Sequence, residues 1–218
     1  MVRYKENALN EYKLAQKLFP VFGNIEKQHL IRVMSFDSSL ITYAVSLHFS
    51  QEVNKIITST VYSIAKTTGN RFIIENKIPP HMTIGAFHST KKNEPKLLQL
   101  VEEFSKNQKS GIIQFTEIGN FNNKVLFLKP EKDEFLSEIN KKLHELILPK
   151  FEKGENGYYM PENWVPHTTL ATRLNQKQHT EILNIASKIK LPLESNISEV
   201  AVYQCPPFAE MKSFDLKG

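Results

Sequence analysis

The chain has 218 residues, 40% hydrophobic and 23% charged, ordinary values for a globular fold that exclude a fibre or a collagen-like segment. Lys plus Arg outnumber Asp plus Glu by 28 to 23, a net +5, which suits an anionic partner and falls short of a strongly basic duplex-binding face. The one cysteine, Cys205, excludes an internal disulfide and any zinc site built on cysteine.

The opening residues MVRYKENALNEYK lack the apolar run of a secretory leader. Periodicity predicts two short helices over 6–19 and 25–34, parted by Pro20 and Gly23. They form a helical extension, 1–36, ahead of a single domain over 37–218. Leu40–Phe49, rich in β-branched and aromatic residues, reads as a buried strand, and a helix follows over 51–67, ending near Gly69. Next come a strand at 81–87, a helix at 94–107, and strands at 111–118 and 123–129 around a turn at Gly119-Asn120. The helix expected over 131–150 carries Phe135, Ile139, Leu143 and Leu146 at helical spacing. A loop marked by Gly154 and Gly157 leads to a strand at 167–172, a helix at 176–189, and two last strands near 196–204 and 210–216. With no stretch approaching the ~18 apolar residues of a membrane span, no membrane role and a cytoplasmic home are expected.

The series repeats. Helix, strand, helix and strand pair recur at a nearly constant offset of about 80–86 residues, with halves at roughly 50–130 and 131–216. An internal duplication accounts for this, giving an α+β fold of two pseudo-twofold-related lobes. At matching points stand Pro80-His81-Met82-Thr83-Ile84 and Pro166-His167-Thr168-Thr169-Leu170. With 7 His and 12 Thr in the chain, about 0.4 chance His-x-Thr matches are expected, and the added Pro and aliphatic residue cut this to roughly 0.005. Two copies in register are no accident.

Residues i and i+2 of a strand share a face, so each His stands beside its Thr while the aliphatic residue turns to the core. Two imidazoles and two hydroxyls facing one cleft suit phosphodiester chemistry. A neutral His takes a proton from the attacking oxygen, a protonated one gives a proton to the leaving oxygen, and the Thr hydroxyls bind the non-bridging oxygens. A bell-shaped pH–rate profile around neutrality follows.

PHMTI and PHTTL resemble the paired His-x-Thr/Ser-hydrophobic motifs of the two-histidine (2H) phosphoesterase superfamily, and within it the bacterial 2′-5′ RNA ligase-like and cyclic phosphodiesterase branch. The resemblance spans roughly residues 40–216. It implies antiparallel sheets lining a central cleft with helices outside, no metal or other cofactor, and cleavage of 2′,3′-cyclic phosphates or 2′-5′ linkages through His81, Thr83, His167 and Thr169, with ligation as the reverse reaction. Relatives often carry Arg five residues after the second His; here that place is Thr172, and Arg173, which would share the face of His167 on a regular strand, is the expected substrate-binding residue, whereas a bulge or the strand's end would turn it outward. Tyr203 and Trp164 are the expected stacking surfaces, with Tyr158, Tyr159 and Phe121 as further candidates. RNA ends or a small nucleotide are the expected partners of a monomer. The alternatives are a catalytically silent RNA-binding module of the same fold and a hydrolase of a small cyclic phosphate such as that of ADP-ribose. A zinc site on His81, His88 and His167 and a Cys205 nucleophile are minor readings.

Overall fold

The computed structural model describes residues 40–218, and Ile41–Gly218 form one compact unit. The extension 1–36 and its expected helices lie outside the described residues. Strand β1 (Leu40–His48) leads into helix α1 (Gln51–Thr68). Val53, Ile57, Val61 and Ile64, three or four residues apart, form the buried stripe of α1, and Gly69 at φ 71° ends the helix by donating its N–H to the Ala65 carbonyl. A one-turn helix that periodicity does not announce, α2 (Phe72–Glu75), buries Ile73. Lys77 stops it at φ 52°, its N–H bonded to the Ile74 carbonyl.

After Pro79-Pro80 come β2 (Met82–Thr90) and α3 (Glu94–Asn107), then the hairpin β3 (Gly111–Phe121) and β4 (Val125–Pro130). The hairpin turns at Asn122-Asn123, both in the left-handed region at φ 48° and 56°, and not at Gly119-Asn120 as expected. Two consecutive positive φ values suit a type I′ turn, and Asn tolerates them. Gly119 serves another purpose, since a Cβ there would lie 2.4 Å from the ring of Phe127.

Helix α4 (Glu134–Ile147) is capped by Asp133, whose carboxylate accepts from the Leu136 N–H at 2.8 Å. Its buried stripe is Leu136, Ile139, Leu143 and Ile147, so Phe135 and Leu146 flank the core and do not fill it. The short strand β5 (Glu152–Lys153) and a 3₁₀ turn (Glu155–Gly157) precede β6 (Thr168–Thr172). Helix α5 (Gln176–Ala186) opens with an Asn175/Gln178 capping box. Three strands close the chain where two are expected: β7 (Leu193–Ile197), β8 (Glu199–Cys205) and β9 (Ala209–Asp215). Among the described residues no helix is long and apolar enough to cross a membrane.

The strands build two sheets, ordered β5-β2-β1-β8-β9 and β6-β4-β3-β7. The duplication does not divide into one lobe per half. The motif strand of the first half, β2, shares a sheet with the hairpin of the second, β8–β9, and β6 shares a sheet with β3–β4. The described strand pairs of both sheets are antiparallel, and one apolar core joins them through Val45, Leu47, Ile84, Phe115, Leu128 and Leu170.

Candidate functional site

His81 and His167 each stand one residue ahead of their strands, β2 and β6, with Thr83 and Thr169 as the second strand residues. The same local bond sets both rings: His81 Nδ1 lies 2.8 Å from the Pro79 carbonyl, and His167 Nδ1 lies 2.8 Å from the Val165 carbonyl. A carbonyl only accepts, so in each case Nδ1 carries the proton and Nε2 keeps its lone pair. All four motif residues line one cavity of about 660 Å³, within the range of pockets for small organic ligands.

Burial holds His81 down at about 4, helped by the charges of His48 and His167 and opposed by the bond to Pro79. Burial also lowers His167, against the bond to Val165. Both rings are therefore mostly neutral at pH 7 in the unliganded protein. Thr83 Oγ1 is 3.1 Å from Ser46 Oγ and also bonds the Tyr159 hydroxyl, which burial pushes up to about 12.

Three expected substrate-binding residues lie elsewhere. Arg173 is exposed at φ 59°, its guanidinium 3.9 Å from the Phe72 ring centre. The β4–β6 ladder slips between Leu126 and Phe127, which shifts the alternation by one residue and turns Thr172, not Arg173, into the cavity. Trp164 is 3% exposed and donates Nε1–H to the Thr83 carbonyl at 3.0 Å; it braces the first motif from the core and offers no face to a ligand. Tyr203, 1% exposed, stands behind His81, ring centres 6.0 Å apart. Of the further aromatic candidates, Phe121 and Tyr159 line the cavity, Phe121 meeting His167 edge-on at 5.0 Å, whereas Tyr158 is exposed.

Sequence reasoning missed Lys77 and Phe208. Lys77 is the one Lys or Arg among the described cavity-lining residues, brought there by the single turn of α2. Phe208, after Pro206-Pro207, stacks on Tyr203 at 4.5 Å and lies 5.4 Å from His81. A positive residue before a Pro-Pro-His run was the available signal for Lys77. Cys205 reaches the cavity, but burial and the Glu155 charge push its thiol up to about 11, so it stays protonated and poorly nucleophilic. His88 Nδ1 lies 3.2 Å from Thr42 Oγ1, and among the described residues no group of three or more His, Cys, Asp or Glu is arranged to hold a metal ion.

Residues 65–205, more than half of the chain, match the family model of the 2′-5′ RNA ligase superfamily. The chain belongs to this superfamily. Its 2H phosphoesterase fold is that of solved structures covering most of its length. Among them are Escherichia coli LigT complexed with 3′-AMP (TM-score 0.54, 12% identity, 82% of this chain and 99% of that one) and TT0787 of Thermus thermophilus (TM-score 0.54, 18% identity, 81% and 98%). At such identities the similarity concerns the fold. Among curated proteins, two with provisional phosphoesterase names are similar. The one from Bacillus licheniformis is 28% identical over 109 residues, 49% of this chain and 60% of that protein. The one from Bacillus pumilus is 25% identical over 123 residues, 55% and 67%.

Proposed function

We propose that the chain is a phosphodiesterase that opens 2′,3′-cyclic phosphates or cuts 2′-5′ linkages, on RNA ends or small nucleotides, with His81 and His167 as the acid–base pair. The observation that carries this reading is the convergence of both His-x-Thr pairs on one cavity, each imidazole tethered through Nδ1 to a backbone carbonyl. Tethering leaves both Nε2 atoms free to exchange protons with a ligand, and a fixed ring needs no reorganisation during reaction.

On a cyclic phosphate the reaction runs in line. One Nε2 accepts a proton as water oxygen bonds phosphorus; the bond from phosphorus to one ribose oxygen breaks, and that oxygen takes the proton on the other Nε2. Thr83 and Thr169 donate to the non-bridging oxygens as their charge grows. Lys77 supplies the positive charge that Arg173 does not bring, and Phe121, Tyr159 and Phe208 offer apolar faces to a base or sugar. The complex of LigT with 3′-AMP supports a nucleotide-sized ligand. Run backwards, the same transfers join a ribose hydroxyl to a cyclic phosphate.

Hydrolysis of a nucleoside 2′,3′-cyclic phosphate in EDTA tests this directly. His81→Ala and His167→Ala should each lower kcat by about 10²–10⁴. Full turnover by either variant, or loss of wild-type turnover on chelation with rescue by zinc, would sink the mechanism.

A further inference from the structure

Behind His81 the five-stranded sheet carries a chain of hydrogen bonds outside the two motifs. Pairing of β1 with β8 sets His48 opposite Glu199, and His48 Nδ1 bonds the Glu199 carboxylate. His48 Nε2 lies 2.6 Å from the Tyr203 hydroxyl, which donates to Glu210 Oε2 at 2.8 Å across the β8–β9 pair. Ser213 Oγ donates to the second Glu199 oxygen at 3.2 Å. The single tyrosine proton goes to Glu210, because a carboxylate only accepts; Tyr203 oxygen must then accept from His48 Nε2. Glu199 can only accept as well, so Nδ1 also donates. Both His48 nitrogens bear hydrogen, which makes the ring an imidazolium.

The Tyr203 ring links this cation to the cavity, with ring centres 5.9 Å from His48 and 6.0 Å from His81. Phe208 stacks on the Tyr203 ring in turn, closing a wall around His81. The rings around His167 are Phe121 and Phe127 instead, at 5.0 and 5.2 Å. The two motifs match in sequence and differ in what stands behind them.

We propose that His48 and Tyr203 are positioning residues for His81, holding its ring neutral with Nε2 open, so that His81 accepts the proton of the attacking oxygen and His167 protonates the leaving oxygen. This rests on the phosphodiesterase reading. A second positive charge on His81 would face the His48 imidazolium across a packed aromatic ring. The His48 side chain is 18% exposed against 35% for Glu199, and Glu210 is exposed, so water screens the carboxylates more than the cation. Of the other ionisable side chains lining the cavity, Lys77 and a protonated His167 act in the same sense, Glu155 opposes, and Tyr159 and Cys205 stay neutral, while the exposed Tyr62 completes the set. The lowered His81 value, with His48 among its causes, agrees.

The test is an NMR titration of the imidazole signals, which needs no substrate. In His48→Gln, which removes the charge, and in Tyr203→Phe, which keeps the stack and cuts the hydroxyl link, the His81 midpoint should rise by roughly half a pH unit while that of His167 stays in place. With a nucleoside 2′,3′-cyclic phosphate, the acid limb of kcat/KM should rise in step and the basic limb should hold. A His81 midpoint unmoved in both folded variants, or equal movement of both histidines, overturns the assignment. Absence of wild-type turnover would strike the phosphodiesterase reading alone, because the titration still decides what His48 does to His81.

Discussion

A histidine is useful to acid–base chemistry only where its surroundings leave it able to change charge, and the two motif histidines are both displaced downward from the ordinary imidazole value of about 6.5. His81 is held at about 4 by burial and the neighbouring charges, and burial lowers His167. In the proposed mechanism one ring must be neutral and the other protonated, so kcat/KM falls as pH drops through one value and falls again as pH rises through the other. Both values lie below 6.5, which moves the expected optimum for the free enzyme from neutrality to the acid side. Bound phosphate favours the protonated rings, so the kcat profile should sit at higher pH than that of kcat/KM. Rates on a cyclic nucleotide between pH 4 and 8 check both statements; a kcat/KM optimum above 7 would show that burial does not govern these rings.

At the scale of elements, Gly119 shows how a strand residue serves a site it does not enter. Phe127 covers Gly119 and packs on Phe121 at 4.4 Å and on His167 at 5.2 Å. In Gly119→Ala the new methyl would stand 2.4 Å from the Phe127 ring, displacing a ring that also packs on His167. The expected cost is about 1–3 kcal/mol of stability, together with a loss of turnover, read from a urea midpoint and an activity assay. An unchanged midpoint would mean the hairpin yields without effort. The same strand marks what a sequence conveys. Long amphipathic helices such as α1 and α3 and the strand β1 fall where periodicity sets them, within a residue or two. The motif residues His81, Thr83, His167 and Thr169 are legible because duplication repeats them. What escaped depends on events with no period: the left-handed Asn122-Asn123 turn, the one-turn α2 that delivers Lys77, and the slip in β6 that sends Arg173 out and Thr172 in. Trp164 and Tyr203 are candidate ligand platforms by their places near the second motif and in the closing hairpin, and the structure buries both.

For the whole molecule, three histidines carried neutral link stability to pH. His144, 3% exposed with Nδ1 2.8 Å from the Asn140 carbonyl, is lowered by burial as His81 and His167 are. The unfolded chain binds protons at these positions below about 6.5, and the folded chain resists until lower pH, so stability is full above 6.5 and drains away as pH falls toward about 4. For His81 alone, discounted for its partial exposure, the loss between pH 7 and pH 4.5 is on the order of 1–2 kcal/mol, and His144 and His167 add to it in the same direction. Urea midpoints at the two pH values measure it, and a midpoint that holds or rises on acidification would contradict neutral burial.

The exchange of hairpins between halves also dictates when the protein can fold. The His81 sheet has β1 at its centre, and the register of β1 runs against β8 from Thr42↔Cys205 to His48↔Glu199. The other sheet waits for Leu193–Ile197 to edge β3. Neither can close while the chain past residue 190 is still inside the ribosome, so the first half emerges with its apolar strand faces unpartnered. Folding is deferred until β7 and β8 have emerged and depends on contacts between distant residues, which are slow to form. Until then the nascent first half exposes apolar surface that favours aggregation.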